Sequence, residues 1–172
     1  MPSGMPNDPA QNAVRISTPL GEMLLVANNN GLTHALFADI AMSRLQIASF
    51  QESPENPMLQ EASRQIAQYF HNMRRQFTIP LCPEGSDFDK QVWNLLSKIV
   101  FGSYTTYKKI AQMLNSPKAA RAVGAACSRN PLAILIPCHR VLGSRRNLVG
   151  YAGGLQRKNL LLNLENALEG ES

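Results

Sequence analysis

The order of apolar and polar positions divides the chain near Cys82. Before it, short alternating runs dominate. Val14-Arg-Ile-Ser-Thr18 alternates with the period of a half-buried strand, Pro19-Leu20-Gly21 supplies turn residues, and Glu22–Ala27 resumes a strand. Asn28-Asn29-Asn30-Gly31 is a hairpin signal, and Leu32–Phe37 alternates again. Ile40–Phe50 predicts a short helix. Pro57–Met73 predicts a longer one, with Leu59, Ile66, Ala67, Tyr69 and Phe70 on a mostly apolar face, and Gln76–Leu81 reads as a last strand.

Cys82-Pro83-Glu84-Gly85-Ser86 is a natural linker, and beyond it the period becomes helical. Phe88–Ile99 places Val92, Trp93, Leu95, Leu96 and Ile99 at helical spacing, and Thr106–Leu114 predicts a short helix carrying Ile110, Ala111 and Leu114. Asn115-Ser116-Pro117 forms a tight joint, with Ser116 suited to an N-cap and Pro117 to the first helical position of a helix over Lys118–Cys127. Two short helices so joined have the form of a helix-turn-helix, although structural helix hairpins share the pattern. The second helix is nearly bare: Ala119, Ala120, Ala122, Gly124, Ala125 and Ala126 surround one long cation, Arg121. A bare helix approaches another surface closely, either a second helix or a groove of DNA, and an arginine there can pair with phosphate or stack on a base. Leu155–Leu168 is a final amphipathic helix on Leu160, Leu161, Leu164 and Leu168. The pattern therefore predicts an α+β fold: a tail over 1–12 that reads as disordered, a small α/β domain over 13–82, and a mostly helical domain over 86–172.

The chain has 172 residues, enough to bury roughly 70% of its unfolded surface without a metal or disulfide staple. No apolar run reaches the length of a membrane span, and the N-terminus has no basic segment followed by an apolar core. Three cysteines, Cys82, Cys127 and Cys138, lie far apart and suit a reducing compartment. The expected location is the cytoplasm, with the nucleoid if the cell is bacterial. Charge is uneven: residues 1–85 hold five Arg and no Lys against seven acids, net −2, whereas residues 86–172 hold twelve Lys and Arg against five acids, net +7. A basic half of this kind suits a polyanion or simply a solvated surface.

The chemistry-bearing stretch is Ile134-Leu-Ile-Pro-Cys-His-Arg-Val141. A buried β-branched run stopped by proline suits a strand end that fixes one side chain in space. A thiol there becomes a nucleophile only when its pKa is lowered, and an imidazole stands beside it. In an extended backbone Cys138 and His139 diverge, so activation through a bridging water is expected over direct contact. Glu165, beside Leu164, can orient and charge-stabilise an imidazole as the third member of a set; a surface carboxylate is the plainer reading.

These residues extend into a longer match. Phe88-Asp-Lys-Gln-Val-Trp93, Lys118-Ala-Ala-Arg-Ala-Val-Gly-Ala-Ala126, Asn130-Pro131, Ile136-Pro-Cys-His-Arg-Val141, Gly150-Tyr-Ala-Gly-Gly154 and Leu161-Leu-Asn-Leu-Glu165 resemble, in order and spacing, the DNA-repair alkyltransferases that act on O6-alkylguanine. Thr18-Pro-Leu-Gly21 and Tyr69-Phe70 resemble more weakly that family's N-terminal, ribonuclease H-like α/β domain. The resemblance implies that Cys138 accepts the alkyl group, His139 is its base, Glu165 completes the hydrogen-bonded chain, and Asn130 braces the helix-turn-helix against the site. It makes Tyr107 the phenol beside a flipped base and Arg121 the residue filling the gap in the DNA stack. Lys108 and Ser144 match positions on the DNA backbone, and Ala119, Ala120 and Ala122 form the surface that meets DNA. Tyr107, Val141, Tyr151, Ala152 and Gly153 match the base pocket. The implied partner is double-stranded DNA carrying O6-alkylguanine, bound by a monomer through the minor groove, with no cofactor, metal or membrane.

Such chemistry is coherent. A base must leave the stack to be reached, a thiolate can displace its alkyl group, and a thioether has no easy route back, so one molecule repairs one lesion. The chain also departs from the family's pattern. Ser144-Arg145-Arg146-Asn147 stands where a glycine turn is usual; Arg146 at positive φ would be strained, which transfers that role to Asn147 or reshapes the loop. Ala152, Ala133 and Cys127 replace bulkier or hydroxyl residues and suggest a roomier pocket. Cys82, His34 and His71 lack the spacing of a zinc site. Two other readings compete: a protein that binds alkylated DNA without repairing it, and a Cys-His hydrolase, for which no oxyanion hole is visible.

Overall fold

The computed structural model describes residues 11–168; residues 1–10 of the expected tail and 169–172 lie outside the described residues. The N-terminal part is a sheet covered on both faces. Strands β1 (Asn12–Thr18), β2 (Gly21–Ala27) and β3 (Leu32–Phe37) form an antiparallel meander, and a two-residue strand β4 (Gln51–Glu52) adds in parallel to β1, giving the order β3-β2-β1-β4. Asn12 is therefore a strand residue and not part of a tail. The hairpin at Asn28 closes through its side chain, whose Oδ1 accepts from the backbone N–H groups of Asn30 and Gly31.

Helix α1 (Ala38–Arg44) is shorter than the pattern predicted. It gives way to a 3₁₀ turn at Ile47–Ser49 because Ile40, Leu45, Ile47 and Phe50 must all reach Ala13, Leu24, Val26, Leu36 and Ala41 on one face of the sheet. Helix α2 (Pro57–Phe70), capped by Asn56 with Pro57 in its first turn, covers the other face. The expected strand at Gln76–Leu81 is absent. Pro80 has no N–H to give, the Thr78 N–H goes to the Gln65 side chain, and only Leu81 makes a single bridge to Leu32.

The C-terminal part packs α3 (Asp87–Leu96), α4 (Tyr107–Met113) and α5 (Ala120–Ser128) together, with a small parallel pair of β5 (Thr105–Thr106) and β6 (Val141–Leu142) and a last helix α6 (Leu155–Leu164). Trp93 ties α3 to α5 by donating its indole N–H to the Ala126 carbonyl, and Arg129 clamps buried Asp89 through Nε and Nη2. The joint between α4 and α5 differs from expectation. Asn115 takes the left-handed conformation (φ 57°), Ser116 uses its carbonyl to accept from the Ala119 N–H, and α5 starts at Ala120 with no side-chain cap. A backbone turn has taken over the role expected of Ser116 and Pro117. Helix α6 likewise stops at Leu164 and turns at Asn166 (φ 57°).

The two parts share one core. Met23, Leu25 and Phe37 of the sheet, Leu59, Ile66 and Tyr69 of α2, Trp93 of α3 and Cys138 belong to the same buried cluster. β3 also pairs across the boundary, where Ala35 bridges Leu132 with N–H···O bonds of 2.8 and 2.9 Å.

Candidate active site

The stretch before Cys138 is not a strand. It is a buried series of turns organised by one side chain, Asn130. The Asn130 Oδ1 accepts from the Leu132 N–H at 2.9 Å, and its Nδ2 donates to the Ile136 carbonyl at 2.8 Å and to Cys138 Sγ at 3.2 Å. These bonds replace the ladder partners a strand would need. They also hold Ile134 at φ 74°, a conformation that costs a β-branched residue about 1–3 kcal/mol. Cys138, His139 and Arg140 then form a single 3₁₀ turn, all three buried.

Behind the thiol lies a hydrogen-bonded chain. His139 Nε2 is 2.7 Å from Glu165 Oε2, and both side chains are fully buried. Arg140 donates to Glu165 Oε1 through Nε (2.8 Å) and to Oε2 through Nη2 (3.0 Å), and Tyr69 donates its hydroxyl to Oε2 at 2.5 Å. Burial alone would raise the Glu165 carboxyl, but bonds and charges from His139 and Arg140 outweigh it and hold the pKa at about 2. Glu165 is thus an anion. Burial lowers the His139 pKa, against the opposing pull of Glu165, so the ring rests neutral. With Nε2–H directed at the carboxylate, Nδ1 carries the lone pair, and Nδ1 is buried without a hydrogen-bond partner among the described residues.

Cys138 opens onto a cavity of about 790 Å³ between α4, α5 and the segment 144–152. Its lining is mostly apolar, with Cys127 and Tyr151 near the thiol and Gly124 in the wall by Tyr107; Lys108, Arg121 and Ser144 also line it and are exposed. Lys158 is fully buried at the back. Its Nζ donates to the carbonyls of Val141 (2.6 Å) and Gly150 (2.9 Å) and lies 3.4 Å from the Tyr107 hydroxyl, which itself donates to the Val149 carbonyl at 2.9 Å. Burial raises the Cys138 pKa, while the Asn130 amide and the charges of Lys158 and Arg44 pull it down. Cys127 is pushed up by burial and by the neighbouring thiol.

Most of the residues singled out in the sequence meet here. Cys138, Tyr107, Lys108, Ala120, Arg121, Ser144, Tyr151 and Ala152 line the cavity, with His139, Glu165 and Asn130 behind it. Val141 and Gly153 stand back from it. Val141 is buried in β6, and Gly153 packs where a Cβ would meet the Tyr151 ring at 2.7 Å and Phe37 at 3.3 Å. Ala119 and Ala122 lie outside the lining, and so does Ala133, which is buried in the Asn130 loop. Of the two alternatives for the Ser144–Asn147 loop, transfer of the positive φ to Asn147 is overturned, and the loop has another shape. Arg145 and Arg146 both take positive φ (60° and 63°), and Asn147 is extended, because its carbonyl accepts the Gly143 N–H and closes the loop over the arginines. Cys82, His34 and His71 stay apart, bonded to Asn28, Thr33 and the Ala67 carbonyl respectively.

Sequence reasoning missed Tyr69, Arg140 and Lys158 as parts of the site. Lys158 carried a signal, since it precedes Glu165 by two helical turns and so shares its face. Tyr69, 96 residues from Glu165, carried none beyond its place on an apolar face and in the weak Tyr69-Phe70 resemblance, neither of which points to the site.

A buried thiol, a neutral imidazole and an ionised acid beneath a small-surfaced helix pair define a cysteine-centred group-transfer protein with a basic, open mouth. Comparison with known proteins gives the family. Residues 87–167 match the DNA binding domain of 6-O-methylguanine DNA methyltransferase and residues 15–83 its ribonuclease-like domain, and the chain belongs to this family. A methylated-DNA–protein-cysteine methyltransferase of Methanosarcina barkeri is 46% identical over 151 residues, covering 87% of this chain and 94% of that protein. The constitutive Bacillus subtilis protein of the same name is 39% identical over 150 residues, covering 86% and 91%. Among solved structures, the Mycobacterium tuberculosis OGT in complex with DNA superposes with a TM-score of 0.83 at 34% identity, covering 91% of this chain and 93% of that one.

Proposed function

We infer that this chain repairs DNA by moving an alkyl group from the O6 atom of guanine to its own Cys138, once per molecule. The observation that carries this reading is the position of Cys138. Its thiol sits in a base-accepting cavity beneath the α4–α5 helix pair, with His139 and Glu165 stacked behind it. A cavity of this size lies in the range of ordinary small-molecule sites and suits a purine swung out of the duplex.

The bond changes follow. The proton of Cys138 passes to His139 Nδ1, through a bridging water, while Glu165 stabilises the imidazolium. The thiolate attacks the alkyl carbon, an S–C bond forms, and the C–O6 bond breaks. Guanine leaves with the bonding pair on its oxygen and takes up a proton from the Tyr107 hydroxyl; Tyr107 regains a proton from solvent and His139 gives up the one it took from the thiol, so the count closes. The Lys158 charge stabilises negative charge on either the thiol or the leaving base.

DNA is read as the duplex minor groove. The uncapped, nearly bare start of α5 comes close to the backbone, Arg121 occupies the vacated stack, and Lys108 and Ser144 meet phosphates. The protein acts as a monomer and works in the cytoplasm, a location that suits its three free cysteines. Cys127 and Ala152 leave space beside the thiol for groups larger than methyl.

Intact-mass and peptide mass spectrometry after mixing with duplex DNA containing O6-methylguanine tests the reading. The expected result is a permanent gain of one methyl on Cys138, which Cys138→Ser abolishes while still binding DNA. Tight binding with no mass gain favours a non-repairing alkylated-DNA binder and sinks the transfer reading.

A further inference from the structure

We propose that Tyr69, contributed by the N-terminal domain, is a positioning residue for alkyl transfer, whose hydroxyl fixes the Glu165 carboxylate that orients His139. This rests on the reading that His139 receives the Cys138 proton.

The geometry is specific. Glu165 Oε2 is shared by three donors, His139 Nε2 at 2.7 Å, Arg140 Nη2 at 3.0 Å and the Tyr69 hydroxyl at 2.5 Å, while Oε1 takes Arg140 Nε at 2.8 Å. With both oxygens engaged, the carboxylate cannot turn about its last torsion without breaking bonds to two elements at once. The Tyr69 ring is itself immobilised. It is fully buried and contacted by Phe70, Phe77 and Phe101 with ring centroids 5.3–6.0 Å away. A buried phenol needs a hydrogen-bond partner, and this one donates to the same oxygen that holds the catalytic imidazole.

The consequence is chemical as well as geometric. A donor to Oε2 withdraws electron density from the carboxylate and weakens its hold on the His139 proton. Other charged or titratable groups acting on the pair are Arg140 on the same 3₁₀ turn as His139, Lys158 on α6 and Tyr151 on the segment before it. Tyr69 alone comes from the N-terminal domain. Removing its hydroxyl leaves these charges in place and makes Glu165 a stronger acceptor. The imidazolium is then favoured, and His139 holds a proton to higher pH. A base that is already protonated cannot take the thiol proton, so transfer slows on the acid side.

The test uses the full chain and Tyr69→Phe, which keeps the ring. Two quantities are followed against pH: the His139 ring nitrogens by NMR, and the rate of transfer from free O6-benzylguanine base. Both are expected to move to higher pH by about half a unit, a roughly threefold loss of rate on the acid limb. Phe77→Leu loosens the same packing but leaves the hydroxyl, so it should lower the melting temperature without moving either curve. In the wild-type protein, a slowly exchanging Tyr69 hydroxyl proton with a nuclear Overhauser contact to the His139 ring supports the proposal without any variant. A folded Tyr69→Phe protein with both curves unchanged overturns it and makes Tyr69 a core side chain only. If the His139 titration moves but the rate profile does not follow, the hydroxyl still governs the carboxylate, and it is His139 as the base that fails.

Discussion

Glu165 has two separable tasks, and substitution can pull them apart. It neutralises Arg140, whose side chain is 7% exposed, and it orients His139. In Glu165→Gln the shape survives but the charge does not. Arg140 keeps the Ile99 carbonyl and its approach to the Phe101 ring, yet loses its only carboxylate among the described residues. Breaking a buried pair from one side costs about 3–5 kcal/mol, because the remaining ion stays in a poor solvent. For a chain of this size each kcal/mol moves the melting temperature by about 2–4 °C, so a fall of roughly 6–20 °C is expected. Transfer slows as well, by about a hundredfold or more, since the imidazolium formed when His139 takes the thiol proton loses the carboxylate charge that stabilises it. Arg140→Met should destabilise comparably by leaving Glu165 charged. The double variant Arg140→Met/Glu165→Gln removes both ions together. Its stability should return to within about 1–3 kcal/mol of wild type, the residue being the Ile99 carbonyl left unpaired, while its transfer rate stays low. Thermal unfolding and single-turnover methyl transfer measure the two effects. A Glu165→Gln protein as stable as wild type, additive losses in the double variant, or a double variant with restored transfer would refute the reasoning.

Two further predictions concern DNA. Arg121→Ala should slow repair in duplex DNA far more than reaction with free O6-benzylguanine base, because the free base needs no flipping; equal losses on both substrates would assign Arg121 to the fold or the chemistry. Arg145→Gly should relieve a left-handed backbone position that costs about 1 kcal/mol or more, and so hold or raise stability, and Arg145→Gly/Arg146→Gly removes both charges of the loop. The same variant should weaken DNA binding and flatten its salt dependence by about one slope unit per lost phosphate contact, and an unchanged slope would leave these arginines as decoration of a solvated turn.

The fold was legible where local chemistry decides it. The β1–β3 meander, the Pro57 start of α2 and the break at Cys82–Ser86 ahead of α3 all follow from residues adjacent in sequence. It was misread where distant partners override local pattern. Ile134–Ile136 has the composition of a strand, but the Asn130 amide satisfies its backbone and bends it into turns. Gln76–Leu81 loses its ladder to Pro80 and Gln65, and the arginine pair accepts the strained conformations that Asn147 was expected to take. The site divides in the same way. Cys138 and His139 are neighbours in sequence, and the family's motifs supply Glu165. Lys158 shares a helix face with Glu165, but the hydroxyl of Tyr69 reaches the same centre from a distant element, and no local pattern announces a meeting across 96 residues.

Those two residues complete the electrostatics. Among the described residues the site buries two cations, Arg140 and Lys158, and one carboxylate, Glu165, which is fully engaged by Arg140. Lys158 pairs with no acid among the described residues; its Nζ donates to carbonyl oxygens and lies near the two thiols. The anion this arrangement lacks is a thiolate, and two thiols are within reach of the charge. Among the described residues Cys127 receives no hydrogen bond that would stabilise it ionised, and its neighbour's charge pushes it further up, whereas Cys138 also gains the Asn130 amide and the charge of Arg44. The resting thiol stays protonated because burial outweighs these gains, which protects it from stray electrophiles. On this reading a bound base shifts the balance by excluding water from the cavity, where the Lys158 charge and the Asn130 amide act with less screening. Reactivity is then confined to the complex, as a protein that spends itself on one lesion requires.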